Sequence, residues 1–245
     1  MSQKVSLELY RVKLTDVLLL LIVILASVRF LMPWLMSVFF QGFRALPESN
    51  GPQLQLVLVA FLLQSVIILT ALLLVVVMRR GLSLQSLGLV RTEQKWVLRG
   101  ILLAIAAIPA VAVVNIVVSS LRGAPLENPQ IDLLNPGSLS AGPVLLTLFA
   151  AGLVAPVVEE VVFRGFFYGW LKTRFGLPLS MAVSAGLFSL LHGIAILIPA
   201  LFVVGLMLSW VYEKSGSLWP AIVMHSAFNT IMLGLLYTAL FGASA

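Results

Sequence analysis

The chain has 245 residues, 61% of them hydrophobic and only 10% charged, with a mean hydropathy of +1.12. Soluble domains are about 45 to 50% apolar and about 25% charged, so a water-soluble globular protein, a disordered chain, collagen and a disulfide scaffold are all excluded. The net charge of +6 fits cytoplasmic loops facing anionic headgroups better than nucleic-acid binding, and the absence of cysteine removes thiol nucleophiles, thiolate metal sites and iron–sulfur clusters together.

A spanning helix needs about 20 mostly apolar residues. Such runs occur at Val17 to Phe40, Leu54 to Met78, Val97 to Leu121, Pro143 to Leu171 and Leu218 to Leu240. The stretch from Leu177 to Tyr212, interrupted at His192-Gly193 and Pro199, is too long for one span and is read as two. The expectation is a single transmembrane domain over residues 1–245, an all-α polytopic bundle of seven spans, or eight if a longer run is itself broken.

The charged start up to Asp16 followed by an apolar run has the outline of a signal peptide. The apolar stretch resumes after Arg29, which suits a retained first span better. Basic residues fall in alternate loops: Lys4, Arg11 and Lys13, then Arg79, Arg80, Arg91, Lys95 and Arg99, then Lys172 and Arg174, then Lys214. The intervening loops pair Arg44 with Glu48, and Arg122 with Glu127 and Asp132. This pattern puts the N-terminus in the cytoplasm, with the cell membrane as the expected location. Gly81 to Gly100 reads equally as an interfacial amphipathic piece or a solvated loop. Gly123 to Gly142, with Asn135-Pro136-Gly137, reads as a turn-rich external connection.

An ionisable side chain inside lipid costs several kcal/mol unless it is paired or wet, so each one within a span is a candidate functional residue. The filter leaves Arg29, Glu159, Glu160, Arg164, His192 and His225, with the amide Asn229 beside them. In Glu159-Glu160-Val161-Val162-Phe163-Arg164, Glu160 and Arg164 are i,i+4 neighbours and can pair, while Glu159 points about 100° away. One carboxylate neutralises one arginine, which leaves Glu159 free for general-base work. The competing reading is that both glutamates neutralise Arg164 and lock a helix crossing.

His225 and Asn229 share a helix face and could donate to one developing oxyanion or simply join helices. Phe188 and His192 share a face as well. The donor set Glu159, His192 and His225 is large enough for a divalent metal such as zinc in His₂Glu ligation, although no H-E-x-x-H pair is present. Asp16 and Asp132 lie outside the apolar runs and Ser189 lacks a G-x-S surround, which disfavours aspartyl and serine mechanisms.

These segments resemble the CAAX protease and bacteriocin-processing (CPBP, or Abi) membrane proteins, which include the type II CAAX prenyl endopeptidases. The family's EExxxR motif stands as Glu159 to Arg164, its FxxxH as Phe188 to His192, and its HxxxN as His225 to Asn229. The resemblance covers the second half of the chain, with a family-like catalytic core at about 143–240. It implies an intramembrane endopeptidase in which Glu159 with His192 activates water, His225 and Asn229 bind the oxyanion, and Glu160 and Arg164 support them. It implies as partners the lipid bilayer and a membrane-associated peptide or lipidated protein substrate, prenylated CAAX proteins among them, and no nucleic acid. It leaves open whether a metal takes part. The alternative is a non-catalytic immunity or scaffold protein that binds a peptide or a protease, with a proton-coupled transporter third.

Counting about 1.5 Å per residue from helix ends near Leu171, Leu177 and Leu218 puts Glu159, His192 and Asn229 roughly 18, 22 and 16 Å deep. They could therefore meet near mid-membrane, and hydrolysis would need a water-filled cavity there.

Overall fold

The computed structural model describes residues 8–31, 33–35, 37–38, 50–128, 131, 134 and 141–241. The loop carrying Arg44 and Glu48, Asp132, and the turn Asn135-Pro136-Gly137 lie outside the described residues. Among the described residues every regular element is helical, as apolar segments in lipid require, because a helix satisfies all of its own backbone groups.

Helix α1 (Leu14–Ala26) runs on into a π-helical turn, Ser27–Leu31. Asp16 stands in its first turn, where its carboxylate accepts the Lys13 N–H at 2.8 Å. Asp16 is fully buried, and it is neutralised by Arg80 and by Arg79, the latter at 3.1 Å. Both arginines sit where α2 (Asn50–Leu73) ends its π-helical extension Leu74–Arg79. Partway along, Gln64 donates to the Ser27 hydroxyl at 3.2 Å, a polar tie between α1 and α2.

Helix α3 (Gln94–Arg122) has 29 residues. Helix α4 spans Ala141–Lys172 as one apolar rod in which α-helical segments alternate with π-helical ones at Leu148–Val154 and Val161–Tyr168. Then come α5 (Leu177–Leu191), α6 (Ile198–Ser215) and α7 (Leu218–Phe241). Six helices among the described residues are long and apolar enough to cross a membrane. The seventh, α5, has 15 residues, about 22 Å of rise against a hydrocarbon core of about 30 Å. The apolar stretch to Tyr212 therefore divides into two helices, and of its two interruptions His192-Gly193 is the one that ends α5, but α5 alone falls short of a full span.

Gly81 to Gly100 is not a free loop: its later residues open α3, and its earlier ones are tied to the bundle. A 3₁₀ turn, Leu84–Leu87, drops Leu87 into the bundle, fully buried. Leu218 N–H donates to Gly88 O at 2.9 Å and Ser217 Oγ to Val90 O at 2.7 Å, fixing the turn to the start of α7. Two close helix approaches set the core. A Cβ at Gly100 would lie 2.6 Å from Pro220 O, which lets α3 lie against α7, and one at Gly205 would lie 2.9 Å from Ala185, which joins α5 and α6. Phe163, Phe166, Phe167, Tyr168 and Phe188 belong to the buried core, with the Phe163 and Phe188 rings edge-on at 5.3 Å between α4 and α5 and Tyr168 against Tyr212 of α6.

Candidate functional site

Glu159 and Glu160 close the α-helical segment Ala155–Glu160 of α4, and Arg164 follows inside the π-helical turn, whose i→i+5 bonding widens the helix. Such turns are frequent at functional sites. Arg164 Nη1 donates to Glu160 Oε1 at 2.9 Å, and Nη2 donates to Gly205 O of α6 at 3.1 Å. Both side chains are wholly buried. The guanidinium lies 4.5 Å from the centre of the Phe188 ring, which adds a cation–π contact from α5.

His225 of α7 enters between the two glutamates. Its Nδ1 is 2.8 Å from Glu160 Oε1 and its Nε2 is 3.6 Å from Glu159 Oε2. Because Glu160 is an ionised acceptor paired with Arg164, Nδ1 carries the hydrogen, and Nε2 is the nitrogen turned to Glu159. Glu159, with 23% of its side chain exposed, is the carboxylate of the pair left outside the Arg164 ion pair.

His192 stands at the end of α5, where its Nδ1 donates to the Phe188 carbonyl at 2.7 Å. That bond places a hydrogen on Nδ1 and leaves Nε2 without a hydrogen-bond partner among the described residues, on a half-buried ring. Asn229 Nδ2 donates to Ala151 O of α4 at 3.0 Å, which uses one of its two amide hydrogens.

The structure thus brings together Glu159, Glu160, Arg164 and His225 directly. No hydrogen bond or ion pair links Glu159 to His192 among the described residues; Glu159 faces His225 instead. His225 and Asn229 share a face of α7 but spend Nδ1 and Nδ2 on separate acceptors. Sequence reasoning placed Phe188 on the face of His192 but did not join it to His225. Phe188, 0% exposed, meets His192 edge-on at 4.7 Å and His225 at 5.7 Å. Its position one turn before His192 was the available signal.

Among the described residues no three His, Asp or Glu side chains gather as a metal site requires. The candidates Glu159, His192 and His225 do not converge as such a group in this arrangement. Arg29 lies exposed in the π-helical end of α1, away from this cluster.

Residues 141–231 match the family model described as type II CAAX prenyl endopeptidase Rce1-like. This stretch of the chain is similar to that family. All three motifs, 159–164, 188–192 and 225–229, fall within it. The chain is also similar to the UPF0177 protein YxdF of Lactococcus lactis subsp. lactis (strain IL1403), 26% identical over 104 residues. That match covers 42% of this chain and 51% of the relative, so the chain spans about half the length of the curated protein it matches. No solved structure matches. With six apolar helices of spanning length among the described residues, the chain is an integral membrane protein.

Proposed function

We propose that this chain is an intramembrane endopeptidase that hydrolyses a peptide bond of a membrane-associated peptide or lipidated protein, with prenylated CAAX-type proteins the first substrate class to test. The observation that carries the reading is the division of labour between adjacent carboxylates. Arg164 makes its contact ion pair with Glu160, while Glu159 lies outside that contact, is partly exposed, and faces an imidazole nitrogen.

In the reaction, Glu159 takes a proton from water as the oxygen attacks the substrate carbonyl carbon. His225, oriented by Glu160 through its Nδ1–H, presents Nε2 as an acceptor for the Glu159 carboxyl once that group has taken the proton. His192 Nε2 supplies a second acceptor for the water. The remaining amide hydrogen of Asn229 donates to the oxyanion. Glu159 then returns its proton to the amine nitrogen as the C–N bond breaks.

One transmembrane domain over 1–245 with its catalytic core at about 143–240 is part of the same proposal, as is a cell-membrane location with the N-terminus in the cytoplasm. The Lys and Arg residues gathered around Arg79–Arg80, Lys172–Arg174 and Lys214 support that orientation.

The test is cleavage of prenylated CAAX peptides and short membrane peptides by the full chain in detergent, comparing wild type with Glu159→Ala and His192→Ala, with and without a chelator. Cleavage by wild type, lost in both variants, is expected. Survival in chelator would separate water activated by Glu159 alone from water that needs a divalent ion. If neither variant changes the cellular phenotype, the buried polar cluster serves a non-catalytic immunity or scaffold role.

A further inference from the structure

One residue past His192 the chain leaves the helix. Gly193 takes φ +72°, in the left-handed region where glycine has no steric cost, and Ile194 is extended at φ −112°, ψ 97°. The Ile194 carbonyl accepts Leu197 N–H at 3.0 Å, whereas its own N–H has no hydrogen-bond partner among the described residues. Non-helical backbone in a membrane protein is tolerated where it lines a wet cavity. A cleft of about 540 Å³ opens here, lined by Gly193, Ile194, Ala195 and Ile196 on one side and by Arg122, Pro125 and Glu127 on the other. That volume falls within the range of about 300–1,000 Å³ for ligand sites. The cleft sits at the end of α3 opposite Gln94, away from the basic loops. Arg122 is exposed there, with no ion pair or hydrogen bond among the described residues.

We propose that this cleft is the subsite for an extended segment of the substrate peptide flanking the bond to be cut. This rests on the proteolytic reading above and adds where the peptide lies. An extended strand pairs with an extended edge through its main chain, and here the Ile194 N–H offers a donor to a substrate carbonyl immediately beside His192. Arg122 then pairs with a carboxylate of that segment, either an acidic side chain or the free C-terminus. The apolar side chains of Ile194 and Ile196 cover the rest of the strand.

The chain has no cysteine, so Ala195→Cys gives a single thiol in the cleft. The experiment measures labelling of that thiol by a charged maleimide in the detergent-solubilised full chain. It is run alone and with a panel of heptapeptides prepared as free acids and as carboxamides, with and without an internal glutamate. Labelling slowed by the acid forms is expected. Protection that persists in the carboxamide bearing glutamate assigns a side-chain carboxylate, and protection lost in every carboxamide assigns the C-terminus.

Adding Arg122→Glu should weaken protection about tenfold, the scale of one lost charge-assisted contact. Ile196→Trp, which fills the cleft, should abolish it. Among peptides the protein cleaves, Arg122→Glu should raise KM by a similar factor and leave kcat within about twofold. A thiol that the charged reagent never reaches, or that no peptide protects, overturns the subsite. Protection without cleavage of any peptide keeps the subsite and overturns the proteolytic reading.

Discussion

Glu160 Oε1 accepts two hydrogen bonds at once, from Arg164 Nη1 at 2.9 Å and from His225 Nδ1 at 2.8 Å. One buried oxygen therefore fixes the charge of α4 and the tautomer of a histidine on α7. That carboxylate is wholly buried whereas Glu159 is partly exposed, so the structural and chemical roles fall on neighbouring residues.

Removing that acceptor leaves a buried guanidinium without its counter-charge. Glu160→Ala should destabilise the fold by about 3–5 kcal/mol, the cost of orphaning one partner of a buried ion pair. Glu160→Gln, which keeps an amide oxygen for His225 Nδ1, should cost less. Thermal unfolding in detergent, followed by circular dichroism, measures both; equal stability of Glu160→Ala and wild type would show that Arg164 finds another partner.

Phe188 touches His192, His225 and Arg164 from a single ring. Phe188→Ala should cost about 3–5 kcal/mol in stability as a large core truncation. Phe188→Leu, closer in volume, should remain folded while losing cleavage, because neither imidazole keeps its edge-on support. A folded Phe188→Leu with wild-type turnover would reduce the ring to packing.

Gly100 is a position where the usual helix preference reverses. Replacing glycine by alanine in a helix normally gains about 0.5–1 kcal/mol, but a Cβ here would meet Pro220 O at 2.6 Å. Gly100→Ala is expected to lower the unfolding temperature and Gly100→Val to lower it further, since α3 and α7 must separate. A rise in unfolding temperature for Gly100→Ala would show that the two helices part without cost.

Asn229 separates tie from catalyst by magnitude. An interhelical hydrogen bond in a membrane protein is worth about 0.6 kcal/mol on average, whereas loss of an oxyanion donor costs about 10²–10³ in kcat. Asn229→Ala should change stability little and turnover greatly. Turnover within a few-fold of wild type would confine Asn229 to its bond with Ala151 O.

The helices were legible because apolar runs long enough to cross lipid allow few other structures, and the break at His192 was marked by Gly193. The Glu160–Arg164 pair was legible for a local reason, since i,i+4 spacing survives whatever packs around it. What joins different helices was not. The meeting of His225 with both glutamates depends on how α7 is rotated against α4, and the Asn229 bond ends on a backbone carbonyl that any residue at position 151 would present. The π-helical turns flanking Glu159 and Glu160 leave no periodic trace in an almost uniformly apolar segment. Leu87 looked like one more loop leucine, because its burial is set by Gly165 and the start of α7, far away in sequence.

The most direct measurement compares Glu159→Gln with Glu160→Gln in parallel, reading the rate of peptide cleavage and the unfolding temperature of each in the same detergent. The account predicts that Glu159→Gln unfolds with wild type and loses cleavage by at least about 10²-fold, the contribution of a general base, while Glu160→Gln loses stability. Cleavage at the wild-type rate by Glu159→Gln, on any substrate the protein cuts, would contradict it.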